Sequence, residues 1–166
     1  MSEPTLADAD PVSALLAWLQ NHSEVTDALG GPGRVSGIEE APWPHLRVDH
    51  GLGGDLRDLR WAISPEVTLE VLGDPGGWPG KAELRRILVR CARAAQELAE
   101  APHVPGEPVI SGIKPAGLPL WAPLVTGHPR WLMNLSVTSS TFVLNNAPQF
   151  VVRPGRNMIP VQIPCN

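Results

Sequence analysis

Residues of the kinds that bind metals are present in this 166-residue chain, but their spacing does not favour a shared site. His45 and His50 are the closest histidines. Side chains five residues apart on a strand point to opposite faces, so this pair is not expected to share a metal ion. The other three, His22, His103 and His128, lie beside turn-like sequence and have no partner at ligand spacing. The sequence therefore predicts no metal site.

Carboxylates and hydroxyls of the kinds that catalyse hydrolysis are also present. Carboxylate pairs occur at 39–40 and at 55/58, but in polar, Gly-rich sequence, whereas paired catalytic carboxylates need a buried site with opposed pKa values. Ser111 in ISGIK and the hydroxyl run at 136–141 have no histidine at a recognisable motif spacing. We interpret these hydroxyls as strand residues. A small hydrolase that works through Ser111 or the carboxylates is the enzymatic alternative.

The run GWPGKA does not match a phosphate-binding loop. Pro75 stands where the first glycine should be, and Ala82 replaces the hydroxyl residue that would hold magnesium. The sequence also contains no nucleophile elbow. It therefore predicts a protein that is not an enzyme and has no cofactor.

The clearest structural signal is an unbroken strand, turn and helix over residues 67–100. Apolar and polar side chains alternate over 67–71, as in a strand with one buried face. A turn rich in proline and glycine follows over 73–80. From Lys81 the apolar period becomes 3.6, which predicts an amphipathic helix that Pro102 ends.

The rest of the chain contains one more helix signal and several strand signals. Asp10 followed by Pro11 predicts a helix start, as an N-cap and a proline at the first helical position. Alternating apolar side chains predict strands, of which the second, third and fourth are expected to form an antiparallel meander. The predicted strands lie at 34–38, 45–49, 58–63, 67–72, 109–113, 118–125 and 131–137.

The order of these elements favours an α+β fold, with a mainly antiparallel sheet and two helices packed on it. Residues 1–142 are expected to form this single domain, which is long enough to bury a sizeable core. Residues 143–166 contain four prolines, at spacings too close for central strands or helices, so we predict an extended C-terminal arm.

Charge is distributed unevenly along the chain. The net charge is −4, but residues 1–80 hold thirteen Asp/Glu against four Arg, a net −9, and the residues from Pro108 onward hold four bases and no carboxylate. An acidic first part argues against wrapping nucleic acid, because phosphate neutralisation needs clustered Lys/Arg. One group of arginines comes close to forming such a cluster, and we interpret it as a solvated helix face. It comprises Arg85, Arg86, Arg90 and Arg93.

Cysteine usage and hydropathy favour a cytoplasmic protein. Cys91 and Cys165 form neither a disulfide framework nor a metal-ligand spacing, which favours a reducing compartment. No apolar run approaches the roughly 20 residues that a bilayer needs. The N-terminal sequence is acidic, whereas a signal peptide is basic and then apolar. We expect assembly in the cytoplasm and no membrane partner.

Six tryptophans and no tyrosine make the aromatic content unusual. Trp61 and Trp131 fit buried strand faces, so we assign them to the core. Trp43, Trp78 and Trp121 each stand beside prolines, where a rigid backbone can hold a large side chain outward. Exposed aromatics of this kind are favoured anchors of protein interfaces. Local packing within the loops is the alternative interpretation for these three.

Ordered sequence strings across residues 11–142 resemble the tail terminators of long-tailed actinobacteriophages, which belong to the head-to-tail connector group. The strings consist of structural residues and mark no active site. They are PVSALLAWL, GGPGRVSG, EAPWPHLRV, GGDLRDLRW, PEVTLEVLGDPGGWPGKAELRRIL and LPLWAPLVTGHPRWLMNLSVT.

This resemblance implies a structural virion protein at the head–tail junction, assembled in the host cytoplasm. It implies a ring, expected to be a hexamer, that caps the tail tube, stops its polymerisation and joins the head-side connector or stopper protein. The expected partners are thus copies of the chain itself, the tail tube protein and the connector, with DNA passing through the lumen without specific binding. Another neck protein, such as a head-closure or adaptor component, is the structural alternative.

The ring hypothesis assigns roles to two groups of residues. A ring needs two different lateral faces, which the acidic first part and the carboxylate-free last part could supply. Asp49 and the carboxylates in the following HGLGGDLRD could instead line the lumen and repel passing DNA. Candidate interface residues are Trp43, Trp78, Trp121, Arg86, Arg90, Arg93, Arg153 and Arg156, and candidate lumen-facing residues are Asp49, Asp55 and Asp58.

Overall fold

The computed structural model describes residues 10–58, 62–102 and 109–140. Side chains at 55–58 and 62 are outside this description, as is the whole predicted arm. The elements in chain order are α1 (Pro11–Asn21), α2 (Ser23–Leu29), β1 (Val35–Ser36), β2 (His45–Asp58), β3 (Ala62–Leu72), α3 (Lys81–Glu97), a 3₁₀ turn (Leu98–Glu100), β4 (Val109–Pro115), β5 (Leu120–Trp121) and β6 (Arg130–Ser140).

The predicted fold class is confirmed, because the described chain is an α+β fold with a mixed sheet of six strands and three helices. The strand order is β1-β2-β3-β6-β4, and β5 also pairs with β6. Every pairing is antiparallel except that of β1 with β2. The sheet is thus mainly antiparallel, as predicted.

Local signals explain where the helices begin and end. The Asp10 side chain accepts a hydrogen bond from the Val12 amide at 2.9 Å, which confirms it as the N-cap of α1. The seven-residue α2 was not predicted. His22, in an extended conformation, separates it from α1, and Gly30 ends it at a left-handed φ of 84°. The long amphipathic helix is confirmed as α3.

The prediction of three separate strands between residues 45 and 72 was wrong. The chain forms one long hairpin instead, in which β2 runs through Gly51, Gly53 and Gly54 without a break. A Cβ atom on Gly51 would lie 2.7 Å from the Cβ of Glu66, and one on Gly54 would lie 2.8 Å from the Cα of Pro65, so these two glycines allow the strands to approach closely. The ladder accommodates them through register shifts after His50 and Asp55.

The predicted strand over 118–125 was also too long. Only Leu120 and Trp121 pair with β6 there. Pro119 and Pro123 flank this pair and have no backbone N–H to donate to a ladder, which explains why the pairing stops.

One face of the sheet packs under the helices and forms the core. Leu69 of β3 faces Val48 of β2 and Met133 of β6 across the ladder, and α3 packs across β3 and β6. Leu69 is completely buried. Trp131 packs against this core while remaining partly exposed, and Trp61 lies outside the described residues.

Cys91 lies inside the core on α3. Burial disfavours the thiolate and raises the pKa of this thiol to about 12. It is therefore a packing residue and not a reactive thiol. Within the described chain, no helix is both long enough and apolar enough to cross a membrane.

Candidate interface at the loop end of the sheet

The three proline-flanked tryptophans lie on loops at the same end of the sheet. We call this the loop end, formed by loops 37–44, 73–80 and 116–129. The Gly73 amide donates to the Pro129 carbonyl at 2.9 Å, which joins two of these loops. The folded chain thus collects residues that are separated by up to 78 positions in the sequence.

Trp43 is half-buried and links the first loop to the third. Its ring centroid lies 4.5 Å from that of His128 and 6.2 Å from that of His45. Arg34 donates to the Trp43 carbonyl. His128 in turn contacts the Gly73 carbonyl through its Nδ1, at 2.8 Å. Local packing against these two histidines thus covers a large part of the Trp43 side chain.

Trp121 also packs within its own surroundings. Its ring meets that of Trp131 at 5.5 Å in a T-shaped arrangement, and the Lys81 ammonium lies 4.7 Å from the Trp121 centroid. Trp131 donates from its indole nitrogen to the Lys81 carbonyl at 2.8 Å. This cluster fastens the start of α3 to the edge of the sheet.

Trp78 is the tryptophan that the structure leaves exposed, at 63% of its surface. Its carbonyl accepts from the Asp74 amide at 2.7 Å, so the backbone of the loop is closed while the indole points outward. Leu118, Leu120 and Val125 on the third loop are also exposed, at 89%, 57% and 108%. Large apolar side chains left in water in this number are typical of an interaction surface.

A Ser–His pair that no sequence motif indicates borders the first loop of the loop end. The Ser36 hydroxyl lies 2.9 Å from His45 Nε2 and donates to the Ile38 carbonyl at 3.0 Å. Because the Ser36 hydroxyl donates its proton to the Ile38 carbonyl, we assign the His45 Nε2–H group as the donor to the Ser36 oxygen. Ser36 is therefore not hydrogen-bonded as an activated nucleophile would be. His45 Nδ1 is buried with no hydrogen-bond partner among the described residues.

We expect the protein to lose stability as the pH falls below about 6.5. Burial lowers the pKa of His45 from its ordinary 6.5, an effect that Glu40 opposes and Arg34 reinforces. The unfolded chain then binds a proton to this histidine more readily than the folded chain does. The contribution of neutral His45 to stability is therefore fully present above the unfolded pKa. It is lost as the pH falls from the unfolded pKa toward the lower folded pKa. For one proton the slope is at most about 1.4 kcal/mol per pH unit.

Urea unfolding at pH 7.5, 6.0 and 5.0 measures this slope. The variant His45→Gln keeps a side-chain donor but does not titrate in this range, so we expect a shallower pH dependence. An unchanged slope in the variant would assign the effect to other groups.

The sheet face opposite the helices is polar and contains Asp49. Arg47 contacts Asp49 at 3.1 Å and Glu39 at 3.2 Å, and lies 3.6 Å from buried Glu70. Arg130 reaches the other oxygen of Glu70 at 3.3 Å. A hydrogen bond from the His50 amide, followed by Arg47, lowers the pKa of Asp49. Its charge is therefore largely paired within the chain.

The remaining predicted residues are placed as follows. Arg86, Arg90 and Arg93 lie exposed along α3, which starts at the loop end, and Arg86 pairs with Glu83 at 2.8 Å. The side chains of the other two candidate lumen residues, and both arginines of the arm, lie outside the described residues; they are Asp55, Asp58, Arg153 and Arg156. The structure thus places the three tryptophans at one end of the sheet and Arg86, Arg90 and Arg93 on the exposed surface of α3.

Ligand-type residues are dispersed in the described part of the chain, where no group of three His, Cys, Asp or Glu side chains could hold a metal ion. His45 and His50 face opposite sides of β2, as their spacing predicted, with His45 buried and His50 exposed. Ser111 is exposed on β4, and its hydroxyl lies 3.5 Å from the Thr138 carbonyl.

No protein-family model matches this chain, and no curated protein matches it.

Proposed function

We propose that this chain is a structural subunit of a ring that caps a phage tail tube and joins it to the head connector. The proposal starts from the sequence strings that resemble tail terminators and from the α+β fold that such a subunit is expected to have. It assigns the exposed apolar side chains of the loop end to contacts with a partner protein.

The observation that carries the ring is the strand order, which keeps the strands of the acidic first part of the sequence apart from those of the carboxylate-free last part. In the strand order β1-β2-β3-β6-β4, the three strands from the acidic part of the sequence lie together on one side. The strands from the carboxylate-free part, β6, β4 and β5, lie on the other. The two sheet edges therefore belong to oppositely charged parts of the chain.

This arrangement suits a heterologous contact, in which two different faces of one subunit meet. Head-to-tail contacts of that kind generate closed rings when the rotation closes. Complementary charges steer such encounters and fix their register more than they add affinity. A hexamer is the ring size that the resemblance implies.

The test is the length of tails, seen by electron microscopy, in lysates of the phage made without this chain. We expect tubes of irregular and excessive length that fail to join filled heads. Tails of normal length would overturn the terminator function. Normal tails that also stay separate from filled heads would assign the chain to another neck component.

A further inference from the structure

A groove lies at the end of the sheet opposite the loop end. It has a volume of about 830 Å³, in the upper part of the roughly 300–1,000 Å³ range of ligand pockets. Its floor is apolar and includes Trp18 of α1, Leu98 of the 3₁₀ turn and Ile110 of β4. Residues 103–108, which connect two walls of the groove, lie outside the described residues.

Acidic side chains stand beside this groove without belonging to its described lining. His22, a lining residue, has its Nε2 3.1 Å from a carboxylate oxygen of Glu97. The Glu97 side chain is itself 44% exposed. Glu100 is exposed on the 3₁₀ turn that lines the groove, and Glu24 is exposed in the first turn of α2. Among the described lining residues themselves there is no Lys, Arg, Asp or Glu, so the charge near the groove comes from these neighbouring glutamates. A basic, apolar occupant fits this surface.

We propose that the C-terminal arm of one copy, residues 143–166, binds in this groove on the neighbouring copy; the inference rests on the proposed ring. The arm has the matching chemistry, because it contains Arg153 and Arg156 among valines, isoleucines and prolines and has no carboxylate side chain. The arm also starts in the right place. β6 ends at Ser140, which pairs with Val109, a lining residue of the chain's own groove.

The length of the arm allows its arginines to reach the groove of a neighbouring copy. Arg153 is thirteen residues beyond Ser140, a stretch that spans about 40 Å when its backbone is extended. A compact domain of this size is roughly 37 Å across. An extended arm therefore carries its arginines about one subunit away from its origin. That is where the equivalent groove of the next copy lies in a ring.

Docking of an arm into the next subunit gives each copy one donor and one acceptor element. Such a contact is heterologous and can close a ring without any two-fold interface. Tethering keeps the arm at a high local concentration once the first contact has formed. The arm and the two sheet edges would then act together in the same lateral contact.

Cross-linking between full-length chains tests the inference directly. The acceptor chain carries Ser111→Cys, an exposed lining position, together with Cys165→Ser. The donor is the native chain, whose arm contains Cys165, while buried Cys91 stays unreactive. In a mixture with a short bis-maleimide, at chain concentrations up to about 1 mM, we expect a covalent acceptor–donor dimer.

A matched control acceptor carries Val125→Cys with Cys165→Ser, since Val125 is fully exposed at the opposite end of the molecule. We expect at least several-fold less dimer from it. Equal yields from both acceptors would overturn the proposal, as would no dimer at all from a folded Ser111→Cys chain. A chain that carries Ser111→Cys with its native Cys165 and forms only an internal cross-link would place the arm in its own groove and also overturn it.

Charge exchange gives a second, independent readout. Arg153→Glu with Arg156→Glu in the donor is expected to lower the dimer yield roughly two- to five-fold, and Glu100→Arg in the acceptor is expected to restore part of it. Failure of the exchange to restore any yield would contradict pairing beside the groove. Cross-links together with tails of normal length would support the arm contact but overturn the terminator function. Irregular tails without cross-links would support the terminator function but overturn the arm contact.

Discussion

Replacing Leu69 with alanine is expected to lower the free energy of unfolding by about 2–5 kcal/mol. Leu69 is completely buried at the centre of the sheet, between Val48 and Met133 and beneath the helices. Alanine removes the transfer free energy of the buried side chain and leaves a cavity that the surrounding strands fill only in part. Against a typical total of about 5–15 kcal/mol, this is a large loss.

Urea unfolding followed by tryptophan fluorescence measures the change. Val89→Ala is the matched control, because Val89 lies on α3 with 45% of its surface exposed, and its effect is expected to stay within about 0.5 kcal/mol. A loss below about 1 kcal/mol for Leu69→Ala would mean that the centre of the sheet is not packed as described.

Replacing Trp78 with alanine is expected to weaken partner binding by about 2 kcal/mol, or roughly thirty-fold, with little change in stability. Trp78 is 63% exposed on a loop whose backbone hydrogen bonds do not involve the indole. Its removal therefore costs the folded subunit little. If the loop end contacts a partner, the same removal takes away a large apolar anchor.

Complementation of a phage that lacks this chain measures the effect as infectious titre and as the fraction of tails joined to heads. Leu52→Ala provides the control, since Leu52 is fully exposed on the β2–β3 hairpin, away from the loop end. We expect a strong loss of titre for Trp78→Ala and none for Leu52→Ala. Equal titres for both variants would remove the loop end as the contact surface.

Much of the fold could be predicted because its signals are local. Asp10 and Pro11 specify the start of α1, and the change of period after Lys81 specifies α3, since both depend on neighbours within one turn. The same holds for the apolar alternation around Leu69. The short helix α2 and the continuous hairpin were missed because His22 and the glycines of β2 act through distant partners, Glu97 and Glu66.

The candidate site was predictable only in part. The neighbouring prolines singled out Trp43, Trp78 and Trp121, but nothing in the sequence distinguishes the exposed one from the two that pack. That distinction depends on His128 and Lys81, which are distant in the chain and contact Trp43 and Trp121. The Ser36–His45 pair was missed for a related reason, since one member lies on the edge strand and the other on its neighbour.

The sequence by itself determined the α+β class, the two long helices and the polarity of the sheet faces, because periodicity and capping are properties of consecutive residues. Only the tertiary structure decided the strand order that separates the acidic and carboxylate-free parts of the chain. It also decided which tryptophan faces water and where the groove beside β4 opens. These features arise from contacts between residues far apart in the chain, and such contacts leave no periodic trace in the sequence.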